Sequence, residues 1–345
     1  MLGARNRGRL QTCMRGQVPD ARPYCWYYSY DFVGSATGVN LREYLFDPKL
    51  MFETQMHLCS LLDGGISLIP DGAMLPENEA LGAELVFTNG YPTTKHQDCV
   101  MIGSIARSDP VNPYNGKLME ALLEALKYMR GHAPNDVSVE PTFITGPFSL
   151  AASVCGISDF LVGLYEEPDT VKQCLEMVAE TEIAYLKEQE KILGPLDRIS
   201  MSDDVSAFLS PEMFREFVLP TYDRVRAAFP HSQHWLHNDA DTSKIYRDIC
   251  GYGFDLWHVG YVVDIVKIAH DTPDSKTVLA GNLVPLDDLA CKTTEDALGL
   301  AKDLLAQFDN SSRFAISAGG FLATGTPVET VRAIMHLADE WQLVQ

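Results

Sequence analysis

The 345-residue chain has no Cys-x-x-Cys pair, although it holds eight cysteines. Scattered at 13, 25, 59, 99, 155, 174, 250 and 291, they match neither a zinc ribbon nor a disulfide framework. Cysteines spread this way are expected as small buried apolar residues in a reducing compartment, which points to the cytoplasm. Positive charge is also in short supply: 27 Lys and Arg against 47 Asp and Glu give a formal net charge of −20. That balance argues against nucleic acid or anionic membrane as a partner and says nothing about a small substrate. No uncharged apolar run reaches the ~20 residues of a membrane-spanning helix. The basic start (Arg5, Arg7, Arg9, Arg15) is free of acids but lacks the apolar stretch of a secretory signal. No glycine-rich phosphate loop follows the first strand pattern, which counts against an open dinucleotide-binding sheet.

What the chain does contain is a rhythm of short apolar strands, nearly all followed by helical patterns. Strand patterns start at 24, 66, 141, 198, 232, 254, 277 and 313. Eight such units at this spacing describe a closed (β/α)₈ barrel. With 46% hydrophobic residues the core can be large. Helical spacing is expected over 41–62, 115–129, 169–193, 211–229, 242–251, 263–269, 294–307 and 327–341. Between the second and third units, Glu84–Thr88, the dipeptide Asn89-Gly90 and Tyr91-Pro92 predict a β-hairpin instead. Residues 1–345 therefore read as one domain carrying a small β-rich insertion at about 72–110.

In such a barrel the carboxyl ends of all strands face one cavity. The richest end is Ser232–Asp241: an apolar strand that turns polar at His237, Asn238, Asp239 and Asp241. His237 and Asp239 are two residues apart on an extended segment, so their side chains leave the same face and can reach one atom. Asp241 or Thr242 can equally cap the helix that follows. The other strand ends supply Asp31, Asp71, Thr145, Asp203 with Asp204, His258, Asn282, and Ser317 through Gly320. Two chemistries fit this rim. One is a divalent metal held by His237, Asp239 and a further carboxylate, acting as a Lewis acid. The other is a metal-free acid/base pair of His237 with Asp203 or Asp204. The aromatic first strand, with Tyr28 and Tyr30, would suit an aromatic ligand, and the same residues can simply be core.

Landmarks along most of the chain resemble the uroporphyrinogen decarboxylase superfamily, which also contains zinc-dependent corrinoid methyltransferases. They are Pro19-Asp20-x-x-Pro23, Glu79-Ala-Leu-Gly82, Thr145-Gly-Pro-Phe148, Asp203-Asp204 with Ser210-Pro-Glu212 and Pro220, His237, Gly281-Asn282 with Pro285, and Ser317-Ala-Gly319 with Pro327. The resemblance implies a (β/α)₈ barrel with its site at the carboxyl end. The decarboxylases carry an arginine-containing signature after the first strand, whereas this chain reads Trp26-Tyr-Tyr-Ser-Tyr-Asp-Phe-Val33 there. That departure argues against a porphyrinogen substrate held by its propionates. The thiol-dependent methyltransferases bind zinc through His-x-Cys and a later cysteine. Here the first motif is His237-Asn238-Asp239, and the later position corresponds to Gly320. A carboxylate in place of thiolates makes a harder, more electrophilic ion, better matched to an ether oxygen than to a thiol.

The expectation is a zinc-dependent methyltransferase of the O-demethylase type, moving a methyl group from a small methoxylated donor to a corrinoid carried by a partner protein. Its metal ligands would be His237 and Asp239 with Glu216, or else Asp203 or Asp204, completing the set, and His237, Asp203, Asp204 and His258 would be the catalytic groups. Tyr28, Tyr30, Asp71, Asn282 and Ser317 would bind substrate. A metal-free decarboxylase or lyase of the same barrel is the alternative, and a non-catalytic member the third reading. A homodimer is compatible with the resemblance; nothing in the sequence marks its interface.

Overall fold

A computed structural model of the chain describes residues 2–88, 91–95, 99–308, 311 and 313–343. Its centre is a six-stranded parallel sheet in sequential order. The antiparallel hairpin comes first, β1 (Leu85–Thr88) with β2 (Tyr91–Thr94). The barrel strands are β3 (Ile144–Thr145), β4 (Arg198–Ser202), β5 (Gln233–Asn238), β6 (Leu256–Val259), β7 (Val278–Leu283) and β8 (Phe314–Ala318). The turn Asn89-Gly90 expected for the hairpin lies outside the described residues.

The two remaining strands expected at 24 and 66 are reduced to single parallel bridges, Tyr24 to Ile316 and Leu68 to Val139. These place the two segments beside β8 and before β3 respectively, so the ring is an α/β barrel with one weakly laddered side. The cause is local. Asn6 donates from Nδ2 to the Tyr24 carbonyl and accepts the Tyr24 amide, each at 2.9 Å. Gln55 does the same for Ile69, at 2.7 and 2.9 Å. Two side-chain amides thus satisfy backbone groups that a neighbouring strand would otherwise pair. Tyr30 and Asp31, expected at the end of the first strand, instead open the helix Tyr30–Thr37.

Buried apolar side chains fall into two sets, as alternation along a strand requires. Ile199, Met201, Leu236, Trp257, Leu279 and Ile316 pack outward beneath the helices. Cys25, Tyr27, Trp235, Leu256, Val278, Ala280 and Ala315 fill the lumen with Phe143 and Phe321. The basic N-terminal segment forms α1 (Leu2–Met14), whose Leu10, Cys13 and Met14 join that inner set and close the barrel floor. Arg9 clamps α1 to Asp20 at 2.8 Å and to Asp339 at 2.5 Å.

Helix punctuation explains most boundary differences. The run expected over 41–62 splits into Leu41–Phe46 and Pro48–Leu61, because Asp47 caps the second helix and Pro48 begins it. The run over 211–229 is interrupted by a π-helical turn, Phe214–Val218, just before Pro220. No single helix among the described residues is long and apolar enough to cross a membrane. Six of the eight cysteines are buried.

Candidate metal centre

β4 and β5 are in parallel register with Ser202 opposite His237. The residues just beyond each strand therefore meet at the carboxyl end of the barrel. Asp204, His237 and Asp239 converge there, with one donor atom from each lying within 4.8 Å of the others. His237 Nε2 is 3.8 Å from Asp239 Oδ2. Asp204 is held in place by the Asp239 amide at 2.9 Å and the Ser202 hydroxyl at 3.0 Å. The Asp239 turn packs directly on Gly260, where an added Cβ would sit 2.5 Å from the Asp239 Cα. Only glycine allows that approach.

These donors fit a divalent ion. Ligand atoms at ~2.0–2.2 Å from one zinc stand roughly 3–4 Å apart in tetrahedral geometry. The imidazole is buried while the Asp239 side chain is 41% exposed, so the group faces outward from the barrel mouth. Burial opposes ionisation of Asp239, but the hydrogen bond and charge of His237 outweigh it and hold the carboxyl below its usual range. Asp204 moves the other way: burial, reinforced by the Asp239 charge and opposed by His237, pushes its carboxyl up. Two carboxylates this close repel, and a cation between them relieves both.

Behind His237 runs a chain of hydrogen bonds that sets its tautomer. Ser317 Oγ donates to the Cys25 carbonyl, which can only accept. With its proton spent, Ser317 Oγ accepts from His258 Nε2 at 2.9 Å. Burial, followed by the nearby His237, drives the His258 pKa well below its usual range, so the ring is neutral and its Nδ1 is bare. His237 Nδ1 therefore donates across the 2.7 Å contact to His258 Nδ1. This leaves Nε2 of His237 facing Asp204 and Asp239, where a bound ion would take its lone pair. Tyr27, Phe143 and Phe321 wall the imidazole pair, with ring centroids 4.9–6.0 Å from His237.

The remaining residues expected at the site divide into three groups. Asp203 turns away: its carboxylate accepts from the Ser149 amide and hydroxyl at 2.9 and 2.6 Å and from the Tyr222 hydroxyl at 2.9 Å. Burial raises it to about 6. Glu216, expected as a metal ligand, lies on the π-helical turn with its carboxylate on Lys172 at 2.7 Å. It is 53% exposed and outside the Asp204–His237–Asp239 group; the helix carries it to the outer surface, and Asp204 occupies the third position instead. Asn282 spends its amide on the carbonyls of Gly260 and Val263, at 3.1 and 2.7 Å, and Ser317 serves His258. Neither lines the cavity described next.

Tyr28, Tyr30 and Asp71 do share a cavity of about 250 Å³. Its walls include Trp26, Asp31 and the rings Tyr27, Phe143 and Phe321 that back onto the imidazoles. Asp71 is pushed up to about 7 by burial, and its Oδ2 has no hydrogen-bond partner among the described residues. Sequence reasoning missed the Cys25 carbonyl and the ring wall. A backbone acceptor leaves no signature in residue type, and aromatic residues in strands read equally well as core.

A parallel barrel with imidazole and carboxylates at the carboxyl end of its strands is an α/β-barrel enzyme framework. The uroporphyrinogen decarboxylase (URO-D) family model matches residues 5–341, and the chain belongs to that family. It is 25% identical over 231 residues to a methylcobamide:CoM methyltransferase MtaA of Methanosarcina barkeri, covering 64% of this chain and 63% of the relative. It is 22% identical over 185 residues to a uroporphyrinogen decarboxylase of Coxiella burnetii, covering 52% and 50%. The chain thus spans between half and less than two-thirds of the length of these curated relatives. A solved methyltransferase from Methanosarcina mazei superposes with a TM-score of 0.83 at 21% identity, covering 97% of this chain and 98% of the other. At that identity the likeness shows the fold.

Proposed function

We propose that this chain is a metal-dependent methyltransferase, transferring a methyl group from a small methoxylated donor to a corrinoid carried by a partner protein. The carrying observation is the convergence of Asp204, His237 and Asp239 at the outward-facing barrel mouth. The named methyltransferase relatives support the general kind of reaction. His237, Asp239 and Asp204 would hold the ion, zinc in this reading. When bound, zinc supplies Lewis acidity toward the oxygen that bears the methyl group.

The protein's own contributions are positional. His258, Ser317 and the Cys25 carbonyl fix His237 with its Nε2 lone pair outward. Ligand orientation by outer hydrogen bonds of this sort commonly tunes metal affinity ~10–100-fold. Asp204 and Asp239 leave the site anionic when empty, which suits a cation and repels a carboxylate. The exposed side of Asp239 gives a large partner access to the reacting methyl group. The ring wall of Tyr27, Phe143 and Phe321 keeps water from the inner face of the imidazoles.

The test is elemental analysis followed by turnover. Purified protein is expected to carry about one zinc per chain, consistent with a single three-donor group. His237→Ala and Asp239→Ala should lose it. With cob(I)alamin and methoxylated arenes, the loaded protein should give methylcobalamin by its absorption spectrum. Release of CO₂ from a carboxylate substrate without corrinoid, by metal-free protein, would move the assignment to the decarboxylase reading.

A further inference from the structure

We propose that the lower barrel lumen binds a small carboxylate with a planar apolar body, its carboxylate on Arg198 and its body among the first-strand aromatics. Arg198 opens β4, and its guanidinium lies over the Trp235 ring, 4.3 Å from the centroid. It makes no hydrogen bond to any described residue. Its one ion-pair contact is to Glu140 at 3.8 Å, beyond hydrogen-bonding range. The near oxygen of Glu140 is not used elsewhere; the other accepts from Ser138 at 2.7 Å. A guanidinium has five donors in a planar fork that matches a carboxylate. With 19% of the side chain open, that fork is accessible to a ligand entering the lumen.

Space for that ligand is present on both sides of Arg198. A cavity of about 220 Å³ lies under α1, and the aromatic cavity of about 250 Å³ rises toward the barrel mouth. Both are lined by Trp26, Tyr28, Arg198 and Trp235. Further donors in these walls are unspent: Trp26 Nε1, Tyr27 Oη and Trp235 Nε1 have no partner among the described residues. Arg7 adds a second guanidinium to the lower cavity, beside the carboxylates of Glu140 and Asp197, so the open fork of Arg198 rather than net charge would hold a carboxylate ligand. The flat faces of Trp26, Tyr28 and Trp235 favour a planar body. None of Asp204, His237 or Asp239 lines either cavity, so this site is separate from the metal centre.

The experiment is calorimetric titration of the full chain with benzoate and with benzamide, its neutral isostere. Wild-type protein should bind benzoate about tenfold or more tightly than benzamide, the difference a charge-assisted pair confers. Arg198→Gln should abolish the preference, and Arg198→Lys should retain part of it. His237→Ala, which removes a metal-centre residue, should bind benzoate as wild type does. Equal binding of the two probes by wild type, or no binding of benzoate at millimolar concentration, overturns the proposal even if Arg198→Gln fails to fold. Loss of benzoate binding in a folded His237→Ala overturns the separateness of the site.

Discussion

The Nδ1 atoms of His237 and His258 share one hydrogen bond 2.7 Å long. Its direction follows from a backbone carbonyl two steps away, because Cys25 can only accept from Ser317. His258→Ala or Ser317→Ala frees the His237 ring to rotate or change tautomer. Zinc affinity should fall ~10–100-fold in each, by competition with a chromogenic chelator. His237→Ala should lose zinc altogether. Glu216→Gln should keep it, since that carboxylate sits on Lys172. Retention of full affinity in both His258→Ala and Ser317→Ala would show that the relay does not position the ligand.

Gly320 lies where a fourth donor would stand. A Cβ built there is 3.4 Å from Asp239 Oδ2 and 3.2 Å from Pro285. Gly320→Cys should therefore add a sulfur ligand after slight adjustment of the proline, with some backbone strain because φ is +159° at this position. With cobalt(II) in place of zinc, the variant should show an intense thiolate-to-cobalt charge-transfer band that the parent lacks. An unchanged cobalt spectrum would place residue 320 out of reach.

Asp203 acts as a structural hub, tying the helix at Ser149 to the helix at Tyr222. Tyr222→Phe leaves a buried carboxylate oxygen without its donor, and the expected cost is ~1–3 kcal/mol in urea denaturation. Zinc content should be unchanged. Metal loss from a fully folded Tyr222→Phe protein would put Asp203 back in the site.

Stability should decline as pH rises from about 4 to about 7. Burial raises Glu77 and Asp71 each to about 7 and Asp203 to about 6, and lifts Glu182 further in the same direction. Unfolded carboxyls titrate near 4. Between these values the folded chain holds more protons than the unfolded one, so raising the pH favours unfolding. Glu77→Gln removes one such group and relieves Glu182, whose carboxyl it opposes. Its thermal midpoint should fall less than wild type over that range. An equally steep decline in the variant would rule out Glu77 as a source.

Asn6 and Gln55 replace strand pairing on the weakly laddered side of the barrel. Alanine at either position strands a backbone amide and carbonyl, at a cost of ~1–3 kcal/mol per buried group left unpaired. Hydrogen exchange should accelerate at Tyr24 in Asn6→Ala and at Ile69 in Gln55→Ala. No local change in exchange would mean that water substitutes freely for the amides.

Periodicity along the chain was enough to determine the barrel and to find the strand end at His237–Asp239. A strand's alternation and a helix's apolar stripe are local patterns, and eight of them in order leave few topologies. Family landmarks pointed to the same barrel. Asp203 and Asp204 could not be told apart in sequence, because both follow β4 and only the twist of the strand end sends one to Ser149 and the other to His237. Glu216 looked available because a helical carboxylate carries no mark of which way its helix faces. The tautomer of His237, the side-chain pairing of Tyr24 and Ile69, and the unspent guanidinium of Arg198 were decided by tertiary structure alone. Each depends on groups distant in the chain meeting within a few ångströms, and hydrogen bonding at that range has no counterpart in residue spacing.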